Sequence, residues 1–207
     1  MITVYPLAAA SDCATNSGHN FYISIIPAFI FPYSIATDSP TLSPATTHSK
    51  SGVGINLAFG YRMQAWRLQS ELSYGNNKGK DIEIDDPSYP GGDIIGNYNI
   101  WSATLNLFYD IKTCLKTTPY IGAGLGMLQF EANNITLGDD PPTLGCNNLF
   151  TYNLRAGITH PLSPNWHLLL GYRFTGMGKQ EFKTGPAILQ ADPIYINCLE
   201  FGIKYNF

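Results

Sequence analysis

Glu200-Phe201-Gly202-Ile203-Lys204-Tyr205-Asn206-Phe207 closes the chain, and its alternation decides the fold. Counting back from Phe207, the odd positions Tyr205, Ile203, Phe201, Leu199 and Tyr195 are apolar, with Asn197 the exception. The even positions Asn206, Lys204, Gly202 and Glu200 are polar or glycine. Successive side chains of a strand point to opposite faces, so this strand has one oily face and one wet face. The same pattern recurs along the chain, and no other apolar segments are left to cover the oily faces. Lipid is then their natural cover.

Composition agrees. For 207 residues, 13% charged beside 13% aromatic is poor in charge and rich in rings for a water-soluble domain. The longest apolar stretch, residues 25–32, is far short of the roughly 20 residues that a helix needs to cross a bilayer. A chain of near-neutral mean hydropathy can still be membrane-embedded if it forms a barrel, because half of each strand then faces a polar lumen. The net charge of −3 offers no basic surface, which argues against nucleic acid as a partner. Leu7-Ala8-Ala9-Ala10-Ser11 has the small-residue pattern of a leader cleavage site. Residues 1–19 are therefore expected to be a residual signal peptide and an N-terminal periplasmic segment, with a disordered terminus as the alternative, and 20–207 the barrel.

Period and punctuation predict eight strands, at about 20–32, 51–62, 66–74, 97–111, 119–131, 148–160, 166–177 and 194–207. The connections 63–65, 112–118 and 161–165 are short. Those at 33–50, 75–96, 132–147 and 178–193 are long and rich in Pro, Gly, Asn, Ser, Thr and Asp. This alternation predicts an all-β, eight-stranded antiparallel up-and-down transmembrane barrel with four long outer loops and three short periplasmic turns.

Charge placement is the sharpest test of that prediction. Val53, Ile55, Leu57, Phe59 and Tyr61 oppose Gly52, Gly54, Asn56, Ala58, Gly60 and Arg62; Trp166, Leu168, Leu170, Tyr172 and Phe174 oppose His167, Leu169, Gly171, Arg173 and Thr175. With the other strands included, Arg62, Arg67, Glu71, Asp110, Arg155, Arg173, Glu200 and Lys204 all fall on the inward face. A charge on the lipid face near the midplane costs on the order of 2–4 kcal/mol, so a single misplaced arginine would count against the model. Eight strands leave a lumen just wide enough for side chains to fill. These eight groups are therefore expected to pair in a buried network that plugs the barrel. Gly122, Gly124 and Gly126 would make room for large neighbours or leave a narrow water path. Trp66, Trp166, Tyr109, Tyr205 and Phe207 fall near the short turns; Tyr74, Trp101, Tyr152, Phe174 and Tyr195 fall toward the long loops, as two interfacial girdles would. Pro27, inside the first strand, removes a ladder donor and predicts a bulge or an open seam.

Three stretches carry a family resemblance: Phe21-Tyr22-Ile23-Ser24, Pro119-Tyr120-Ile121-Gly122-Ala123-Gly124-Leu125-Gly126, and the closing octapeptide. Over residues 20–207 the chain resembles the eight-stranded OmpA/OmpX-type outer-membrane barrels, and most of all their opacity-protein or surface-antigen branch. The resemblance implies residence in the outer membrane of a Gram-negative cell, contact with its lipid and lipopolysaccharide, and export through a signal peptide. It also implies that Gly202, Tyr205 and Phe207 act as the signal read by the outer-membrane assembly machinery. No peptidoglycan-binding domain is expected after Phe207.

Specific work is then expected in the loops, as a surface antigen, an adhesin-like protein or an envelope-stabilising barrel that meets host or cell-surface ligands. Acidic stretches at 80–86 and at Asp139 and Asp140 could recruit divalent cations, but no ligand spacing of a cation loop is present, and solvated strand extensions are the favoured reading. The four cysteines suggest Cys13 with Cys114 and Cys146 with Cys198, with free thiols as the alternative. A small pore or solute gate is the alternative function, and a lipid-modifying barrel enzyme is third. His160 and His167 lie at the periplasmic end while His48 and His19 lie elsewhere, so no Ser/His/acid group gathers at the outer rim. No enzyme activity, cofactor or metal is expected.

Overall fold

The structure, a computed structural model, describes residues 20–31, 33–38, 45–84, 92–93, 95–136, 148–178, 180–184, 187–191 and 193–207. The regular elements among them are all strands. In chain order they are β1 (Phe21–Ile30), β2 (Ser34–Asp38), β3 (Ala45–Ser49), β4 (Gly52–Met63), β5 (Trp66–Ile84), β6 (Gly92–Asp93) and β7 (Ile95–Asp110). There follow β8 (Thr118–Thr136), β9 (Asn148–Pro161), β10 (Trp166–Met177), β11 (Gln180–Thr184), β12 (Ala187–Ala191) and β13 (Ile194–Asn206).

Eight of these strands make the wall. The antiparallel ladders run β1, β4, β5, β7, β8, β9, β10, β13, and β13 pairs back onto β1, so the sheet closes and has no edge within the membrane. They are the eight strands that the alternation predicts. Outward residues such as Leu72 (63% exposed), Leu125 (57%) and Phe201 (57%) form an apolar belt. Among the described residues no charged side chain faces outward between the girdles. Cross-strand ring pairs build both girdles: Trp66 with Tyr109 and Trp166 with Tyr205 at the short-turn end, Tyr74 with Trp101 and Phe174 with Tyr195 at the other. The tightest turn, Gln64-Ala65, holds Gln64 at a left-handed φ of 57°.

The outer connections contain more strand than the sequence predicts. Instead of ending at 74, β5 runs to Ile84, and the first and fourth connections fold into the hairpins β2–β3 and β11–β12. These join across the chain, β12 to β2 through Gln190↔Asp38 and Ala191↔Thr37, and β3 to the outer part of β5. The physical reason is visible in Asp81-Ile82-Glu83-Ile84, which alternates like a strand although its charge made it read as a loop.

At Pro27 the wall opens without a bulge. The β1–β4 ladder runs unbroken through Pro27↔Ile55, whereas the β1–β13 ladder passes from Ile25↔Ile203 to Ala28↔Glu200 in unchanged register, skipping Ile26 and Pro27. Odd residues of this segment turn their backbone toward β13: Phe31 N–H donates to the Asn197 carbonyl at 2.9 Å, and the Phe21 carbonyl accepts from Phe207 N–H at 3.0 Å. Proline at 27 thus deletes the donor that the Phe201 carbonyl would receive. Pro27→Val is expected to close the seam, stabilising the barrel by about 1 kcal/mol in urea unfolding and giving an exchange-protected amide at position 27. A freely exchanging amide there, with no gain in stability, would show that something other than the missing donor holds the seam apart.

Candidate functional site in the barrel lumen

Inward parity brings the charged residues to the axis, and there they divide into two groups. In the first, Glu71 on β5 receives both terminal nitrogens of Arg155 on β9, with Nη1 at 2.8 Å from Oε2 and Nη2 on Oε1. The same carboxylate accepts from Arg173 Nη1 at 3.2 Å, Gln69 Nε2 at 3.0 Å and Ser73 Oγ at 3.2 Å. Glu200 on β13 lies 3.0 Å from Arg173 Nε, close enough for an ion pair although too oblique for a hydrogen bond, and 3.6 Å from Arg155 Nη1. Two guanidiniums meet two carboxylates, and the group is neutral.

Amides extend it around the wall. Arg155 Nε donates to Asn153 Oδ1, Asn153 Nδ2 to Asn106 Oδ1, and Asn106 Nδ2 to Thr104 Oγ1. Arg173 Nη2 donates to Asn56 Oδ1, and Asn56 Nδ2 to the Ile26 carbonyl at 2.9 Å. Asn56 thereby adds a side-chain bond to a carbonyl that the β1–β4 ladder already turns toward β4. Asn56, Gln69, Asn106 and Asn153 share the inward parity of the charges, so the signal that locates the arginines also locates them; attention to charge alone passes over them.

The second group lies toward the periplasmic turns. Arg67 Nε donates to Asp110 Oδ1 at 2.9 Å, and Arg62 Nη2 stands 3.6 Å from Asp110 Oδ2. The Arg67 guanidinium lies 4.7 Å from the Phe108 ring centroid and 5.1 Å from that of Tyr120, and Tyr22 O–H donates to Gln69 Oε1. Lys204 departs from the expected network: its Nζ makes no hydrogen bond or salt bridge and lies 5.4 Å from the Tyr22 ring centroid.

Large side chains occupy the room beside the inward glycines. A Cβ on Gly122 would strike the Phe108 ring, and one on Gly60 the Tyr22 ring, so no water path runs along these glycines. Outward of Arg173 the lumen turns apolar. Ala28, Ile30, Tyr33, Ile100, Leu128, Leu149, Met177, Ile194, Ile196 and Cys198 form a buried cluster across the barrel. The interior is therefore ionic only over its middle and periplasmic part, not along its whole length. Between the apolar cluster and Arg173 a cavity of about 50 Å³, bordered by Asn56, Ser73, Thr175 and Cys198, has room for a few water molecules at most.

The remaining candidates are dispersed. Cys198 is a buried free thiol. Its even position turns it into the lumen, and Cys146, the partner expected for it, lies outside the described residues. Cys114 is exposed in a periplasmic turn, and Cys13 too lies outside the described residues. Gly202 and Lys204 face inward while Tyr205 and Phe207 face the lipid side, the Tyr205 ring packing on both Trp166 and Phe207. The strand at 80–84 belongs to β5, whereas Asp85, Asp86, Asp139 and Asp140 lie outside the described residues, as does His19. Three histidines have separate partners: His48 meets Ser34 Oγ, His160 meets Thr117 Oγ1 and His167 meets Asn206 Nδ2. Among the described residues no group of His, Cys, Asp and Glu has the spacing to hold a metal ion.

Known structures share this architecture. Neisserial surface protein A superposes with a TM-score of 0.55 at 20% identity, over 90% of this chain and 97% of that one. OprG of Pseudomonas aeruginosa gives 0.64 at 16% identity over 91% and 97%. The outer-membrane protease OmpT of Escherichia coli gives 0.54 at 7% identity over 91% and 97%. At these identities the likeness is one of fold. Compared by sequence with curated proteins, the chain matches none. The family model described as outer membrane protein beta-barrel domain matches residues 2–207. A closed, lipid-belted, eight-stranded wall and this match lead to one conclusion: the chain belongs to the outer membrane protein beta-barrel family and resides in the outer membrane of a Gram-negative cell.

Proposed function

We propose that the protein is a surface-interaction barrel, in which the wall and its plugged lumen are a rigid mount and the outer strands carry the binding surface for host, partner-cell or envelope components. One observation carries this reading: the outer connections pair with one another into a sheet of their own. Beyond Tyr74 at the outer girdle β5 continues for ten residues to Ile84, about 30 Å of strand, and holds β3 and β6 on it. A ladder of that kind holds loops in a fixed shape, which lowers the ordering cost of meeting a partner. Neisserial surface protein A, which shares this fold, is by its name a surface protein, in keeping with such a role.

A solute gate is less well supported, because the ion-paired layer and the apolar layer lie in series across the lumen and a dry apolar constriction opposes ions and water. For a lipid-modifying enzyme the described residues offer one hydroxyl–histidine contact on the outer side, Ser34 Oγ with His48 Nδ1 at 2.8 Å in the β2–β3 hairpin, but the pair is exposed, whereas catalysis of that kind uses an enclosed site. On this reading Gly202, Tyr205 and Phe207 serve assembly, and residues 1–19 serve export.

The experiment compares intact cells that display the full chain with cells that display barrels whose β2–β3 hairpin or outer β5–β7 extension has been replaced by a short turn. The expected result is loss of adhesion or serum-factor binding with surface level and heat-modifiable gel mobility unchanged. Unchanged binding by both variants would leave the envelope-stabilising role as the better account.

A further inference from the structure

The two charge groups in the lumen are not balanced alike. The outer group has two cations and two carboxylates; the periplasmic group has Arg62, Arg67 and Lys204 against Asp110 alone. Lys204 is fully buried, and its Nζ makes no hydrogen bond to the protein. Arg67 Nη2 and Arg62 Nε are likewise unbonded, as are the hydroxyls of Ser24 and Thr159. Five donors on β1, β4, β5, β9 and β13 thus lack an acceptor in one part of the lumen. Ser24 and Lys204 are direct cross-strand partners, as are Arg62 and Arg67.

Neighbouring rings relieve little of this. Lys204 and Arg67 both stand against Tyr22, at 5.4 and 5.8 Å from its centroid, but a ring quadrupole carries no net charge to neutralise them. A buried cation without a counter-charge is costly, and three share one aspartate here. Water could fill the hydrogen bonds but could not cancel the excess charge, which the two permanently charged arginines hold over Asp110 even where Lys204 sheds its proton. Access comes from one side only. The apolar cluster blocks the outer route, whereas the Arg62 side chain keeps 26% of its surface exposed beside the periplasmic turns.

We infer that the periplasmic mouth of the barrel is a binding site for a small oxyanion, phosphate or carboxylate, held by Arg62, Arg67 and Lys204. Arg62 meets the anion at the entrance, Arg67 keeps its Nε on Asp110 and offers its free Nη2, and Lys204 closes the site from β13. Asp110 serves both arginines and leaves two positive charges for the oxyanion to balance.

The test titrates the refolded full-length barrel in zwitterionic micelles with inorganic phosphate, and separately with acetate, at constant ionic strength, reading the thermal midpoint by tryptophan fluorescence. A rise that saturates with phosphate, with acetate or with both is expected for the native chain, and the anion that saturates names the class. Lys204→Met should remove most of the rise. Arg62→Gln, at a partly exposed position that tolerates change, should weaken half-saturation about tenfold, the loss of one charge-assisted hydrogen bond. Lys112→Met, which removes an exposed charge at the same end, should behave as the native chain. A response that never saturates, is absent, or is the same in Arg62→Gln as in the native chain overturns the site. Should Lys204→Met fail to refold, Arg62→Gln decides alone.

Discussion

Replacing Glu71 by glutamine is expected to cost the folded barrel about 3–5 kcal/mol, the largest effect of any single change in the lumen. Glu71 is fully buried and accepts from Arg155, Arg173, Gln69 and Ser73. An amide of the same shape keeps the volume but leaves two guanidiniums with one carboxylate, in a part of the wall closed off from water. The penalty comes from the stranded charge and not from the lost contact, and a second substitution separates the two. Glu71→Gln combined with Arg155→Gln leaves Arg173 and Glu200 as a balanced pair, so the double variant should recover much of the loss. Urea unfolding of the refolded protein, followed through Trp66, Trp101 and Trp166, measures both. If the double variant is as unstable as the sum of the singles, the network is not electrostatically coupled in this way.

The wall was legible because parity in a membrane barrel is enforced by a large penalty. With every charge from Arg62 to Lys204 assigned to one face, register followed, and the eight wall strands with it. Two features escaped the same argument. Where both faces are apolar, as in Ile194-Tyr195-Ile196 and Leu149-Phe150, alternation is silent, and only strand register carried in from the charged middle shows Ile194, Ile196 and Leu149 turned inward. The apolar layer was therefore missed. The pairing of β12 with β2 was missed for a different reason. It joins residues about 150 positions apart in two five-residue stretches, Ser34–Asp38 and Ala187–Ala191, too short for any alternation to specify a partner. Nor could parity say which charge meets which. That Arg155 and Arg173 share two carboxylates while Lys204 has none depends on depth along the axis, which a face assignment does not contain.

The same penalty, applied from outside, gives the other large effect. Leu105 on β7 stands four residues from Tyr109 at one girdle and four from Trp101 at the other, 56% exposed to lipid. That places it near the bilayer midplane, where Leu105→Arg is expected to cost about 2–4 kcal/mol, against about 0–1 for Ile111→Arg beyond the periplasmic girdle. The comparison isolates depth, since both positions are outward and apolar in the native chain. Unfolding of the two variants in liposomes checks it, and the gap between them should narrow in detergent micelles, where water reaches the belt more readily. Equal costs at the two positions in liposomes would mean that Leu105 does not face a hydrocarbon layer, and the lipid-belted wall on which the placement of every inward charge rests would have to be given up.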